Sequence, residues 1–192
     1  MTSEMARCAV RAGGFTLVEL LVSLSVVALV LAATLGLLQQ GQQGYLLGAA
    51  GVEAQQSARV ALERMAREIR KAGFDPAGAS FFPIVNPSPT SLTLQNDLNG
   101  NSIIDARGET VTYLLRGTTL RRNAGGGAQP IIEGVRALSF AYLDADGVPT
   151  GAPERIRTVV IAMTVGPDFL PGAPARDRLG VTLRTQVRLR NR

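Results

Sequence analysis

Residues 14–38 read GFTLVELLVSLSVVALVLAATLGLL, and this stretch decides most of what the chain can be. Phe15 to Leu38 contain a single charged side chain, Glu19, and the polar run Gln39 to Gln43 follows them. At about 1.5 Å per residue, a helix of this length crosses the hydrocarbon core of a bilayer. The sequence therefore predicts a membrane-spanning helix near the N-terminus.

Three other interpretations of this stretch each conflict with one feature. A secretory signal peptide has an apolar stretch of only about 7–15 residues and then a small-residue cleavage site, which Ala32-Ala33-Thr34 matches poorly. A buried core helix is rarely apolar on all sides over such a length. A plain membrane anchor leaves Glu19 unexplained, since an ionisable group in the bilayer costs about 2.5 kcal/mol or more and usually marks function.

The basic residues around the apolar stretch predict its orientation. The preceding segment, MTSEMARCAVRAGG, contains Arg7 and Arg11, and the next basic residue is Arg59. Because positive charge is retained on the cytoplasmic side, residues 1–14 are expected in the cytoplasm and the chain after about residue 40 outside it.

The segment Gly14-Phe15-Thr16-Leu17-Val18-Glu19-Leu20 resembles the prepilin peptidase signature of type IV pilins and pseudopilins. A short basic leader, Gly before the cut, Phe after it, Glu as the fifth mature residue and a long apolar helix occur together. The resemblance implies that a membrane-embedded aspartyl peptidase cuts between Gly14 and Phe15 and methylates the new Phe15 amine. It also implies that the Glu19 carboxylate pairs with the Phe15 amine of a neighbouring subunit and fixes the register of a filament.

The same resemblance implies a location and a set of partners. The chain would be a single-pass protein of the inner membrane, with a cytoplasmic N-terminus and a periplasmic C-terminal domain, before it enters a pilus or pseudopilus. The partners would be prepilin peptidase, other pilins or pseudopilins, an inner-membrane assembly platform and membrane lipid. Removal of residues 1–14 would lower the net charge from +5 to +4 and would remove Cys8, the only cysteine.

The helix is expected to continue well beyond the apolar stretch. Gly41, Gly44, Gly48 and Gly51 recur every three to four residues and predict a flexible middle section of one long helix, with a membrane-exit loop as the alternative. An amphipathic section follows and should end near Gly73, before the stop signal Asp75-Pro76. Its apolar stripe consists of Ala58, Leu62, Met65 and Ile69.

The remainder of the chain predicts short antiparallel strands separated by turns. The expected loops are Gly125–Gly127, Asp144–Thr150 and Pro167–Pro174. The expected strands are Ser91–Gln95, Thr110–Arg116, Thr118–Arg122, Ala137–Leu143, Ile156–Val165 and Gly180–Leu189, the last with apolar and polar residues in alternation.

These elements predict the α+β class: a long N-terminal helix, transmembrane in its first half, whose second half packs on an antiparallel β-sheet, in agreement with a pilin fold. The expected segments are a leader peptide (residues 1–14), a membrane and filament-core helix (15–50), an amphipathic half-helix (51–75) and an extracytoplasmic sheet domain (76–192).

A weaker resemblance concerns the branch of the family. Residues 58–74, ARVALERMAREIRKAGF, and residues 187–191, VRLRN, are similar to PilW-type minor pilins and to J-type pseudopilins of type II secretion. The implied role is to prime or cap filament assembly. The alternative is a binding module at a pilus tip, either an adhesin or a component of DNA uptake in competence.

One loop has the composition of a calcium site. Asp97, Asn99, Asn101 and Asp105 occupy relative positions one, three, five and nine, as ligands do in an EF-hand loop. The pattern departs from an EF-hand at the turn glycine and at the bidentate acid, where Gly108 stands and Glu109 follows one residue late. Ordinary Asp and Asn turn chemistry is the alternative, and no other cofactor is expected.

Composition argues against an enzyme and gives little support to DNA binding. His is absent, and the chain contains no apparent nucleophile–base pair, paired carboxylates or phosphate-binding loop. The four arginines of the last strand and its tail lack the interleaved aromatic residues of single-strand binders, so a solvated face is the favoured interpretation. They are Arg184, Arg188, Arg190 and Arg192.

Overall fold

A computed structural model describes residues 14–104, 107–166 and 180–191 of the chain. The predicted loop Pro167–Pro174, the predicted calcium ligand Asp105 and Arg192 lie outside these ranges. The chain divides into two compact units, Met1–Leu46 and Leu47–Arg192.

The helix found within the described ranges, α1, runs from Leu17 to Lys71 and contributes residues to both units. In the first unit every described residue from Gly14 to Leu46 is exposed. The helix is long and apolar enough to cross a membrane, judged by length and composition. It continues through Gly41, Gly44, Gly48 and Gly51, so the membrane-exit loop is wrong and a continuous helix forms.

In the second unit α1 buries the predicted apolar stripe. Ala58, Leu62, Met65 and Ile69 are all buried, as their spacing on one helical face requires.

The end of α1 is fixed by the backbone conformation of Gly73. This residue has a φ of +79°, which is costly for any residue with a side chain. A Cβ atom there would also lie 2.5 Å from the Pro83 side chain and 2.6 Å from the Asn191 carbonyl oxygen. Asp75 then accepts hydrogen bonds from the next turn, so the predicted stop is confirmed.

In the part of the chain that the structure describes, eight strands pair antiparallel and form two sheets rather than one. The first has the order β1-β2-β3-β4-β5, and the second has the order β6-β7-β8. The strands are β1 Ile84–Val85, β2 Ser91–Gln95, β3 Thr110–Arg116, β4 Thr119–Asn123, β5 Ala128–Ile132, β6 Val135–Leu143, β7 Thr158–Val165 and β8 Val181–Arg188. The α+β class is confirmed, and β1 and β5 are strands that the sequence did not predict.

The helix and both sheets share one hydrophobic core. Its fully buried side chains include Met65 of α1, Tyr113 of β3 and Ile161 of β7. Within the described ranges the buried apolar residues all lie between Ala58 and Leu189. A fragment that begins at Leu47 therefore retains the complete core.

Candidate functional site

The start of α1 places the predicted processing residues on an accessible terminus. Gly14, Phe15 and Thr16 precede the helix and are exposed, with 82% of Phe15 accessible. Glu19 lies in the first turn of the helix. Gly14, Phe15 and Glu19 therefore lie in one exposed segment of six consecutive residues, outside the hydrophobic core.

Thr16 caps this helix. Its Oγ1 accepts a hydrogen bond from the Glu19 N–H at 3.3 Å, and its carbonyl oxygen accepts one from the Leu20 N–H at 3.2 Å. Thr16 and Glu19 thus have the spacing of a capping box, and a carboxylate in the first turn also complements the positive end of the helix dipole. The predictions from sequence do not include this role, although the Thr-x-x-Glu spacing is visible there.

The helical surface that follows is apolar and uncovered. Leu20, Leu24, Leu31 and Leu35 are each more than half exposed, and Glu19 is the only charged residue between Phe15 and Val52. A soluble monomer rarely leaves so large a contiguous apolar surface in water. Lipid or other apolar helices are the surroundings that this surface requires.

The predicted calcium loop is organised by its own backbone. Asp97 is fully buried, and its carboxylate accepts hydrogen bonds from the N–H groups of Gly100 at 2.7 Å and Ser102 at 3.0 Å. The Asn99 and Asn101 side chains each accept a bond from the N–H two residues ahead, at 2.9 and 2.8 Å. These are Asx turns, which order such a loop without an ion.

Glu109 is a second anchor of this loop. Its Oε1 accepts hydrogen bonds from the N–H groups of Leu98 and Asn99, at 3.0 and 3.3 Å. Over the ranges that the structure covers, no group of three or more His, Cys, Asp or Glu side chains could hold a metal ion. Because Asp105 lies outside those ranges, calcium binding stays a prediction.

A partly buried polar cluster joins α1 to the larger sheet. The Glu68 carboxylate accepts hydrogen bonds from the Tyr113 hydroxyl at 2.7 Å and from Arg122 Nε at 3.0 Å, and Arg64 Nε lies 3.6 Å away. Burial and the adjacent carboxylate raise the pKa of Tyr113 well above its usual range. Arg64 and Arg122 therefore have a carboxylate partner within the protein, and their presence does not require a nucleic-acid ligand.

Three of the four arginines that the sequence singles out near the C-terminus lie in the described ranges. Arg184, Arg188 and Arg190 are exposed. Arg184 also lines a groove together with arginines of α1. Sequence proximity alone could not predict that grouping.

Comparison with known proteins identifies one feature. A family model described as a prokaryotic N-terminal methylation motif matches residues 10–35, a range that includes Gly14, Phe15 and Glu19. A search of curated proteins found no match.

Proposed function

We propose that this chain, whose methylation motif is consistent with a type IV pilin-like family, is a minor pilin or pseudopilin. It is cut after Gly14, methylated on the Phe15 amine and packed by α1 into a type IV pilus or a type II secretion pseudopilus. The observation that carries the proposal is the combination of an exposed motif with an uncovered apolar helix that contains one carboxylate.

Processing is supported by the local geometry. Gly14 and Phe15 lie outside the helix and are exposed, so a protease can bind their backbone in an extended form. Gly14 presents no side chain to hinder that approach. The N-cap at Thr16 keeps the helix from extending back over the bond to be cut.

Assembly is supported by the chemistry of the exposed helix. In the membrane, lipid covers the apolar side chains, and in a filament the same surface packs on neighbouring helices. Glu19 would be costly in either setting if it were unpaired. Cleavage creates a positive amine at Phe15, and the pairing of Glu19 with that amine on a neighbour offsets the desolvation of both groups.

The proposed location follows from this scheme. The leader, residues 1–14, stays in the cytoplasm; residues 15–50 occupy the membrane and later the filament core. Residues 51–75 and 76–192 form a periplasmic domain. The assignment to minor pilins or pseudopilins is supported by the resemblance of residues 58–74 and 187–191 to PilW-type and J-type proteins.

Mass spectrometry of the protein from membranes of cells that contain a prepilin peptidase tests processing. We expect a mature chain that begins with methylated Phe15. Gly14→Val should leave the leader uncut, whereas Gly13→Val, the same change one residue earlier, should be processed. A mature N-terminus at any other residue would overturn the proposal.

Fractionation of sheared filaments tests the role of Glu19. We expect Glu19→Gln to be processed yet depleted from the filament fraction. Asp146→Asn removes one negative charge from an exposed loop and serves as the matched control. Equal recovery of the two variants in filaments would refute the assembly role.

A further inference from the structure

Among the described residues, β8 has one edge without a partner strand. It pairs with β7 on its other side, so it is an edge strand of the smaller sheet. The Leu189 N–H donates a hydrogen bond to the Arg157 carbonyl oxygen at 2.9 Å, which sets the alternation of this antiparallel ladder. The backbone groups of Thr182, Arg184 and Gln186 therefore face away from β7. A row of such groups is a template for another extended segment.

This edge forms one wall of a groove beside α1. The groove has a volume of about 450 Å³, and Leu183, Arg184 and Thr185 line it from β8. Successive side chains of a strand point to opposite faces, so three consecutive residues line one groove when the strand turns its edge toward it. Leu62 and Ala66, both buried, line the groove from α1. The groove thus combines free backbone groups with apolar contact.

The helix also gives this groove positive charge. The charged residues that line it from α1 are Arg59, Glu63, Arg67 and Arg70, all exposed and on one side of the helix. None of the three arginines forms a salt bridge with another residue that the structure describes. Guanidinium groups bind carboxylates in a directional, bidentate manner, so three of them beside one glutamate favour an acidic partner.

β8 and α1 follow the groove in the same direction. The Asn191 side chain, just beyond β8, donates a hydrogen bond to the Lys71 carbonyl oxygen at 3.0 Å, and Arg184 lines the same groove as Arg59. The strand covers about 23 Å from Arg184 to Asn191, and the helix covers about 18 Å from Arg59 to Lys71. Two side chains four residues apart on a strand are about 13 Å apart, and Arg59 and Arg67 are about 12 Å apart along the helix.

We propose that the free edge of β8 and the arginines of α1 together bind an extended acidic segment of another protein as an added antiparallel strand. In this mode of binding, backbone hydrogen bonds to the edge supply affinity, and alternate side chains supply specificity. Carboxylates four residues apart on the added strand reach Arg59 and Arg67, and the side chain between them packs on Leu62 and Ala66.

Charge argues for an acidic segment rather than a second copy of this edge. Two β8 strands side by side would bring Arg184 and Arg188 of both copies together, and like charges on paired strands are destabilising. Positive charge on an edge strand is a common device against such self-pairing. An acidic strand reverses this effect, and the net charge of +5 favours its approach. The inference goes beyond the proposed function, because it requires neither cleavage nor a filament.

Binding of a synthetic peptide to the fragment 47–192, which retains the complete core, tests the inference. The probe is acetyl-Thr-Glu-Thr-Val-Thr-Glu-Thr-amide, whose two glutamates and valine share one face. In an NMR titration we expect saturable binding that weakens as salt rises, with the largest shifts at the amides of Arg184 and Gln186. Replacement of both peptide glutamates by glutamine should weaken binding about tenfold.

Methylation of the peptide backbone separates strand addition from simple charge attraction. In the antiparallel pair the threonines lie opposite Arg184 and Gln186 and bond to them, whereas the valine N–H points away from β8. Methylation of one central threonine nitrogen should therefore weaken binding at least about tenfold, because it removes a hydrogen bond and blocks the edge. Methylation of the valine nitrogen should leave binding unchanged, and equal effects of the two would overturn strand addition.

Variants of the fragment test the two walls of the groove separately. Arg59→Gln with Arg67→Gln should weaken peptide binding about tenfold. Arg107→Gln with Arg116→Gln makes the same change in net charge at exposed positions outside the groove and should bind like the wild type. Gln186→Pro removes an edge N–H that β7 does not use, so the strand should tolerate it and the peptide should no longer bind. Circular dichroism should show that every variant is folded.

Three further outcomes would overturn the inference. They are the absence of saturable binding at about 1 mM peptide; a control variant that is weakened as much as Arg59→Gln with Arg67→Gln; and a DNA duplex that displaces the peptide and binds more tightly, which would assign the groove to phosphate. The fragment lacks residues 1–46, so these results do not depend on cleavage at Gly14. Failure of this contact is thereby distinguished from failure of the proposed function.

Discussion

Replacement of Glu68 by alanine should be among the most destabilising changes on the helix surface. The fully buried Tyr113 hydroxyl would lose its acceptor at 2.7 Å, and Arg122 would lose a carboxylate at 3.0 Å. An unsatisfied buried hydroxyl costs about 1–3 kcal/mol. The Arg122 pair, with each side chain 23% exposed, adds only about 1 kcal/mol because solvent screens it.

The expected loss for Glu68→Ala is therefore about 3 kcal/mol of unfolding free energy, or a melting temperature lower by about 6–12 °C. Tyr113→Phe removes the donor and should cost only about 1 kcal/mol, since no unsatisfied hydroxyl remains. In the double variant the two losses should not add, because both remove the same hydrogen bond.

Chemical denaturation of the fragment 47–192, followed by circular dichroism, measures these differences. Glu63→Ala is the matched control, since Glu63 is an exposed glutamate on the same helix and should change stability by no more than about 0.5 kcal/mol. A loss below about 1 kcal/mol for Glu68→Ala, or full additivity with Tyr113→Phe, would refute the reasoning.

Three further predictions concern the same domain. Gly73→Ala should destabilise the fragment by more than the roughly 1 kcal/mol of a positive φ alone, because its Cβ would overlap Pro83 and Asn191. Thermal melting measures the loss of stability, and Gly126→Ala, whose Cβ meets nothing within 4 Å, is the control. Hydrogen bonds from the Val148 backbone and the nearby Arg155 lower the pKa of Asp144 below its ordinary value of 3.8. The contribution of Asp144 to the free energy of unfolding should therefore be complete above pH 3.8 and be lost as the pH falls through the lower pKa of the folded state. Acid titration of the fragment should show a shallower loss of stability in Asp144→Asn than in the wild type. If calcium binds as predicted, added CaCl₂ should raise the melting temperature of the wild type but not that of Asn99→Ala, and equal shifts in both would contradict the prediction.

Local spacing was sufficient to predict the elements whose signal repeats along the chain. The stripe from Ala58 to Ile69 corresponds to buried positions, because one face of the helix meets the core. The alternation of the last strand predicts its buried face only at the end near Val187, since Val181 at its start is exposed. β1 and β5 lack such a signal. β1 has two residues next to Pro83, and β5 contains Pro130, which an edge strand tolerates because its outer side needs no ladder bond.

Contacts between distant residues account for what the sequence could not predict. Glu68 meets Arg122 across a separation of 54 residues, and Arg184 reaches a groove of α1 from the opposite end of the chain. The division into two sheets likewise depends on contacts between residues that are distant in the sequence. β5 and β6 are separated by two residues, yet they belong to different sheets, and no local pattern marks that change.

Glu19 can act in the N-terminal cap of α1 or pair with the Phe15 amine of a neighbouring subunit, and two substitutions separate these roles. Its backbone N–H donates a hydrogen bond to the Thr16 side chain, and its carboxylate lies in the first turn of α1. Cleavage would leave the positive Phe15 amine near the N-terminal end of this helix, where the helix dipole disfavours positive charge. Thr16→Val removes the cap, at a cost of about 1 kcal/mol, and keeps the carboxylate. Glu19→Gln keeps the cap and removes the charge.

If the carboxylate pairs with a neighbour's amine, Glu19→Gln should be processed but lost from filaments, and Thr16→Val should assemble. The measurement is the fraction of methylated protein that enters sheared filaments, determined by mass spectrometry for both variants. Equal depletion of the two would mean that the start of the helix, rather than the charge, limits assembly. Glu19 would then be a capping residue, and the pairing across subunits would have to be abandoned.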